Sequence, residues 1–521
     1  MRLVFVLFDS LNRASLSPYG GRTVRTPNFE RLAARAVTFD THYVGSLPCM
    51  PARRDMHTGR LSFLHRSWGP LEPFDDSFAE MLHGRGVYTH LVSDHYHYWE
   101  DGGATYHNRY DTFEFVRGQE RDPWKAMVAP PWERLREMYH ALQVDERRRN
   151  KYAQYIVNRQ FIREYGDFPS VRCFDHGLDF LAQNGHADDW LLHIETFDPH
   201  EPFHAPASFR ADYPTSYRGP VLDWPPYGRV HEAPDECDEL RANYCATVAL
   251  CDHELGRLLD WFDHGRRWDD TALVVTTDHG FLLGEHDWWG KNIMPCYNEI
   301  AHIPLFVHDP RFADAAGTRR TSLTQTTDIA ATLVDAFGVP PSRYCQGVPL
   351  RRLLEHDRPV RRTAAYGVFG SAVNVTDGRY TYFRYPERMR DAPLFQYTLM
   401  PTHMMERFSV AELEGATLAP PFGFTRNVPL LKVPASPKSP MWHAHIGPGA
   451  HAADATTVLY DLERDPLQLS PIVDAAVEAR LVDEMLSILR ATEAPEEAYG
   501  RLGLGLARRP GHTRRPPGLT S

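Results

Sequence analysis

Six consecutive apolar residues, Leu3-Val4-Phe5-Val6-Leu7-Phe8, give the start of the chain the pattern of a β-strand buried on both faces. Short apolar runs recur at Val87 to Ser93, Asp189 to Phe197, Ala272 to Thr277 and Ile303 to His308. Helical patterns lie between them. Thr26 and Pro27 read as the N-cap and first residue of one helix, continued by Leu32, Ala33 and Ala36. Asp76 to Leu82 reads as a second helix, and residues 134–165 as a long charged one whose Asp145-Glu146-Arg147-Arg148-Arg149 run is a solvated face. Tyr244, Val248, Cys251, Leu255, Leu258 and Phe262 repeat at helical spacing and form a core stripe; Asp328 to Phe337 is a helix stopped by Gly338 and Pro340. Strands and helices that alternate in this way predict an α/β fold, a mainly parallel sheet sandwiched by helices, over residues 1–365.

The texture changes beyond that point. Ala372 to Val375 and Arg379 to Arg384 alternate around Asp377-Gly378, a hairpin signal. Val458 to Leu462 reads as a late strand and Ala475 to Ala491 as a helix. Residues 366–507 are therefore expected to form a smaller C-terminal α+β domain with an antiparallel sheet. Within it, residues 386–450 are rich in Pro, Met and His without periodicity and read as a long arm. That arm either walls a pocket, with Phe395, His403 or Met404 touching substrate, or packs on a neighbouring copy in a homo-oligomer. Residues 508–521 read as a disordered basic tail.

Composition narrows the function. A net charge of −11 argues against a nucleic-acid partner, and no apolar run approaches the length of a membrane span. Met1-Arg2 leads straight into the first strand without a secretory leader, and the seven cysteines show no paired spacing; both predict reduced thiols and a cytoplasmic location.

Candidate chemistry sits where the apolar runs end. Asp9, the pair His95 and His97, and Asp278-His279 each follow a strand, the edge at which open α/β sheets bind ligands. Asp198-Pro199-His200 follows another, and Lys291 lies in a polar, aromatic loop. A histidine here can act as acid, base, anion donor or metal ligand. Two carboxylates with neutral partners suit a divalent cation, Ca²⁺ or Mg²⁺ if oxygens dominate and Mn²⁺ if histidine joins.

The stretch Cys49-Met50-Pro51-Ala52-Arg53, followed by Thr58-Gly59-Arg60, resembles the signature of the formylglycine-dependent (type I) sulfatases of the alkaline-phosphatase-like superfamily. Thr26-Pro27-Asn28, Thr277-Asp278-His279-Gly280, Leu283-Gly284-Glu285-His286 through Lys291, and Leu459-Tyr460-Asp461-Leu462 with Asp465-Pro466 extend the resemblance along the chain. It implies a sulfuric ester hydrolase in which a maturation enzyme oxidises Cys49 to Cα-formylglycine (3-oxoalanine). The hydrated aldehyde attacks a sulfate monoester and later expels sulfate. The resemblance further implies Asp9, Cys49, Asp278 and His279 as ligands of a divalent metal, Ca²⁺ first and Mn²⁺ or Mg²⁺ as alternatives. Arg53 would hold the nucleophile, and Lys291 and His200 would contact the sulfate. His200 is the expected acid for the leaving oxygen, and His97 the expected base that breaks down the intermediate. His95, also facing substrate, stands where the family carries the lysine of Lys-x-His, and Ser10 stands where many members carry a second Asp. Phosphonate monoester and phosphodiester hydrolases share the fold and vary at these positions, so the expected substrate is a small-molecule or saccharide sulfate ester with phosphonate or phosphodiester as the alternative. A non-catalytic relative that binds an anion with Cys49 unconverted is the third reading.

Overall fold

The computed structural model describes residues 1–144, 149–387, 389, 393–435 and 454–505; the basic tail and residues 436–450 of the expected arm lie outside them. The largest sheet has eight strands in the order Arg319–Arg320, Val37–Phe39, Leu305–His308, Thr271–Thr277, Arg2–Phe8, Trp190–Thr196, Tyr88–Ser93 and Thr112–Phe115. All neighbours pair in parallel except Leu305–His308, which runs against both strands beside it. The alternation of the first strand explains the two layers of helix. Val4, Val6 and Phe8 point to one core, shared with the helices Pro27–Arg35, Pro169–Asn184 and Pro234–His264. Leu3, Phe5 and Leu7 point to the other, shared with Cys49–Thr58, Phe78–His83 and Thr327–Ala336. The stripe from Tyr244 to Phe262 is buried as its spacing predicts. Among the described residues no helix is long and apolar enough to cross a membrane.

Three local expectations are corrected. Thr26 and Pro27 take the N-cap and first helical positions as expected, but the Thr26 hydroxyl makes no cap bond; it accepts from the Ser17 N–H at 2.9 Å, and the N–H groups of Asn28 and Phe29 are met instead by Asp252 of the long helix at 3.0 and 2.9 Å. The expected helix over 134–165 is two, Trp132–Met138 and Arg149–Arg159, because the chain turns at Tyr139 to bridge Val221; the run 145–148 lies outside the described residues. The arm contains a three-stranded antiparallel sheet, Phe395–Thr398, Leu430–Pro434 and Thr417–Ala419. Its strands are too short and too interrupted by proline to leave a period in the sequence.

The C-terminal antiparallel sheet orders Val458–Asp461, Tyr380–Arg384, Val373–Thr376 and Ala364–Val368, with the expected hairpin turning at Gly378 (φ +92°). Its last strand is borrowed from the N-terminal region: Ser46–Leu47 pairs in parallel with Gly367 and Val368, directly ahead of Cys49. The helix Ala475–Ala491 closes this sheet through Leu481, Met485 and Leu489, packed against Leu61, Phe63, Tyr382 and Leu459.

Candidate active site

The two central strands deliver the first carboxylates. Phe8 pairs with Thr277, so Asp9 and Asp278 leave the sheet side by side. On the other side of the first strand, Trp190–Thr196 supplies Glu195 and the loop to His200, and Tyr88–Ser93 beyond it leads into His95 and His97. Cys49 is the first residue of the helix Cys49–Thr58, with Pro51 in its first turn. Thr58-Gly59-Arg60 ends that helix: the Thr58 hydroxyl donates to the Arg54 carbonyl at 2.8 Å, Gly59 takes φ +68°, and Arg60 donates to Asp75 at 2.6 Å. A Cβ on Gly59 would stand 2.2 Å from the Cys345 sulfur, so only glycine fits there.

Asp9, Cys49, Asp278 and His279 present ligand atoms that all lie within 4.8 Å of one another, and all four are buried. The Cys49 sulfur is 3.2 Å from His279 Nε2. His279 Nδ1 donates to the Gly280 carbonyl at 2.9 Å, a bond that fixes the tautomer and leaves Nε2 bare. Arg53, one helical turn after Cys49, is shared by three carboxylates. Nη1 donates to Asp278 Oδ2 at 2.6 Å and to the Cys49 carbonyl at 3.2 Å, Nη2 lies 3.0 Å from Asp9 Oδ2, and Nε donates to Glu195. Glu195 is absent from the sequence-based set. Its signal was a carboxylate inside the doubly buried run Trp190–Thr196, a position that demands a cationic partner.

Ser10 has an unforeseen part. Its φ is +61°, a strained backbone for a non-glycine residue, and three bonds hold it there. Its N–H donates to Asp278 at 3.1 Å, its hydroxyl to Asp9 at 2.8 Å, and it accepts from Lys291 Nζ at 3.0 Å. Lys291 also lies 3.5 Å from Glu201 and 3.8 Å from Asp9.

The histidines line the facing wall. His97 Nδ1 is bonded to Glu100 at 2.5 Å, and its Nε2 stands 3.8 Å from Glu120. His200 Nδ1 donates to the Glu201 carbonyl. His95 is fully buried, with neither ring nitrogen hydrogen-bonded among the described residues and its Nε2 3.7 Å from Asp9 Oδ2. Phe395, His403 and Met404 are not brought into this group. Met404 is buried beside the 97–103 loop, His403 pairs with Glu412 at 2.9 Å, and Phe395 packs under Lys432. The arm still reaches the wall: Gly102 N–H donates to the Met404 carbonyl at 2.8 Å and Arg121 to the Met405 sulfur at 2.7 Å.

Electrostatics divide these groups. Burial pushes the Asp9 carboxyl up, but His200, Arg53 and Lys291 outweigh it and hold Asp9 well below the usual range. With His200 itself driven well down by burial and Lys291, the two fixed cations carry that effect. Burial and the Asp9 charge push Asp278 up to about 7. Burial, then Lys291, lowers His279 to about 3; burial, then Arg53, does the same to His95. Burial and Asp9 drive the Cys49 thiol well up, so it stays protonated and is a poor nucleophile as a thiol. Burial opposes the Lys291 ammonium, and the carboxylates of Glu201, Asp9 and Asp278 more than offset it.

The donor set fits a divalent cation. Two carboxylates, an imidazole with a fixed bare Nε2 and the side chain of residue 49 converge, and the orphaned Nε2 of the adjacent buried His95 lies 3.7 Å from the orphaned Asp9 Oδ2.

The Sulfatase family model matches residues 2–339, and a model for the C-terminal part of N-sulphoglucosamine sulphohydrolase matches residues 284–404. The chain is 24% identical to an N-acetylglucosamine-6-O-sulfatase of Bacteroides thetaiotaomicron over 441 residues, 74% of each chain. In fold it is similar to a protein solved with its substrate D-glucosamine-2-N,6-O-disulfate (TM-score 0.64, 15% identity, 95% of this chain and 99% of the other). It is also similar to the phosphonate monoester hydrolase of Agrobacterium radiobacter (TM-score 0.63, 19% identity, 94% and 96%). With the family model covering more than half of its length, the chain belongs to the sulfatase family of the alkaline-phosphatase-like superfamily.

Proposed function

We propose that the protein hydrolyses a sulfate monoester of a saccharide or other small molecule, with residue 49 as nucleophile after oxidation to formylglycine. The observation that carries this reading is the cluster of Asp9, Cys49, Asp278 and His279 braced from behind by Arg53. As the aldehyde hydrate, residue 49 offers one hydroxyl to take the sulfuryl group and a second whose collapse expels sulfate. A divalent ion held by Asp9, Asp278, His279 and residue 49 would polarise the ester oxygen.

The remaining work falls to side chains already in position. Lys291, anchored on Ser10 and Glu201, supplies a fixed positive charge for the sulfate. His200 is neutral while the cleft is empty, and an arriving anion favours its protonated form, from which it donates to the leaving oxygen. His97, oriented by Glu100, takes the proton from the second hydroxyl. The saccharide preference draws on the N-acetylglucosamine-6-O-sulfatase and the glucosamine-bound relative.

A second reading, phosphonate monoester or phosphodiester hydrolysis, is favoured by His279 among the donors and by Ser10 in place of a further carboxylate, a set that suits Mn²⁺. Two measurements separate the readings. Peptide mass spectrometry across residue 49, on protein co-expressed with a maturation enzyme, should find the aldehyde; kcat/KM should then be higher on 4-nitrophenyl sulfate than on 4-nitrophenyl phenylphosphonate. The reverse ratio selects the phosphonate reading. An intact thiol, in a host that converts a control sulfatase, leaves an anion-binding protein. Cys49→Ala should lower turnover by roughly 10⁴-fold with the Tm retained, and residual activity within about tenfold of wild type would sink the covalent mechanism.

A further inference from the structure

Arg53 has one carboxylate more than its own burial requires. Asp9 and Asp278 both meet the guanidinium and also present ligand atoms to the cluster around Cys49, and two carboxylates already exceed one cation. Glu195 is the third; it is fully buried and stands outside that cluster. Taking a further charge out of water is a cost unless a cation answers it. The fold nevertheless builds Glu195 in. It lies opposite Leu7 and Ser93 in the register of the central strands, so it shares with Leu7 the sheet face covered by the helix Cys49–Thr58. Its Oε1 accepts from Arg53 Nε at 2.5 Å, and its Oε2 from the Ser93 hydroxyl at 3.2 Å. Tyr98 is buried beside it: burial and the Glu195 charge drive that phenol well up.

The charges then pair off. Burial opposes the Arg53 cation, and Glu195 first, then Asp278 and Asp9, more than offset it. Lys291, 3.8 Å from Asp9, likewise has a carboxylate outside the cluster, Glu201 at 3.5 Å. Each fixed cation is therefore answered by a group that is not among the four cluster residues: Arg53 by Glu195, Lys291 by Glu201. What remains is Asp9 and Asp278, which when both ionised carry the two negative charges that match one divalent ion. Without Glu195, one of those two would be taken up by Arg53, whose positive charge opposes any cation bound beside it.

We propose that Glu195 is a positioning residue for the divalent cation: acting through Arg53, it offsets the guanidinium charge and leaves Asp9 and Asp278 to hold the ion. This deepens the hydrolase reading and rests on it for the presence of the cation. The test is calorimetric titration of Ca²⁺, and separately of Mn²⁺, into chelator-stripped protein. Glu195→Gln keeps the shape of the side chain and an acceptor for Arg53 Nε while removing the charge. It should weaken cation binding about 10–100-fold, while kcat at saturating cation, on whichever ester the enzyme turns over, stays within about threefold of wild type. Ser93→Ala removes the other contact of the same carboxylate without touching its charge, and its Kd should stay close to that of wild type. Glu195→Asp keeps the charge but draws it back from Arg53, so its Kd should fall between those of wild type and Glu195→Gln; it carries the test should the glutamine variant not fold. An unchanged Kd at either substitution of Glu195, an equal loss in Ser93→Ala, or a wild-type protein that binds neither ion overturns the assignment. Ester turnover by an enzyme whose Kd ignores residue 195 overturns this inference and leaves the hydrolase reading standing. A cation held through Glu195 by a protein that cleaves neither ester does the opposite.

Discussion

The floor and the facing wall of the cleft are built on different principles. On the floor every charge is answered. Arg53 serves Glu195, Asp278 and Asp9 together, and Lys291 is anchored by Ser10, all from strand ends or the first turns of one helix. The wall is loop: His95 to Glu100, the turn bearing Glu120 and the tip of the arm at Met404 and Met405. A rigid sheet fixes the reacting centre, whereas loops can change sequence around it without disturbing the scaffold. The difference leaves residue 49 and its bracing cations on the sheet edge and first helical turn, and the histidines proposed to move protons on loops.

Arg53→Ala would break the floor most severely. It leaves three buried carboxylates without their shared cation, and stability should fall by about 3–5 kcal/mol in urea unfolding. A divalent cation added at saturation should recover part of that loss; no recovery would count against the metal site. The wall offers a second, pH-dependent test. Asp94 and Asp198 lie beneath it and share Ser170, and burial raises the Asp198 carboxyl to about 7. Burial and Asp198 push Asp94 well up as well. From about pH 4 to pH 7 the unfolded chain has released a proton that the folded protein keeps, so stability falls as pH rises through that window and levels off above it. Asp198→Asn should flatten this dependence and exceed wild type by roughly 2 kcal/mol at pH 8, as read from unfolding curves between pH 5 and 8. A slope identical to that of wild type would mean Asp198 is ionised in the fold. The smallest effect expected is at Ser10, where Ser10→Ala removes a hydroxyl shared by Asp9 and Lys291 and should cost about 1 kcal/mol. Ser10→Gly should cost less, because glycine takes φ +61° without strain.

Most of the floor and the histidines of the wall were legible in the sequence; Glu195, Glu120 and the strands of the arm were not. Asp9, Asp278 and His279 stand directly after apolar runs, which betray both the strand and the edge at which it ends. Cys49 and Arg53 are four residues apart on a helix, so they share a face. Glu195 was hidden because strand patterns are read by their apolar members, and the reversed direction of Leu305–His308 was hidden because an apolar run has no polarity of its own. Glu120 follows a half-exposed edge strand and sits on a backbone turn that no hydrophobic period announces. The strands of the arm failed for the same reason: the Pro-rich segment between Leu418 and Leu430 separates partners whose pairing is a tertiary fact.

The borrowed strand Ser46–Leu47 has a consequence in time. Its partner, Gly367-Val368, is made some 320 residues later, and the first strand likewise waits for Trp190–Thr196 and Thr271–Thr277. At synthesis rates of about 5–20 residues per second, 320 residues correspond to roughly 16–64 s. During that interval the segment carrying Cys49 has left the ribosome without the sheet that will bury it. Any reagent or enzyme that must reach the side chain of residue 49 works against this clock, and a truncation before residue 364 would stop it altogether.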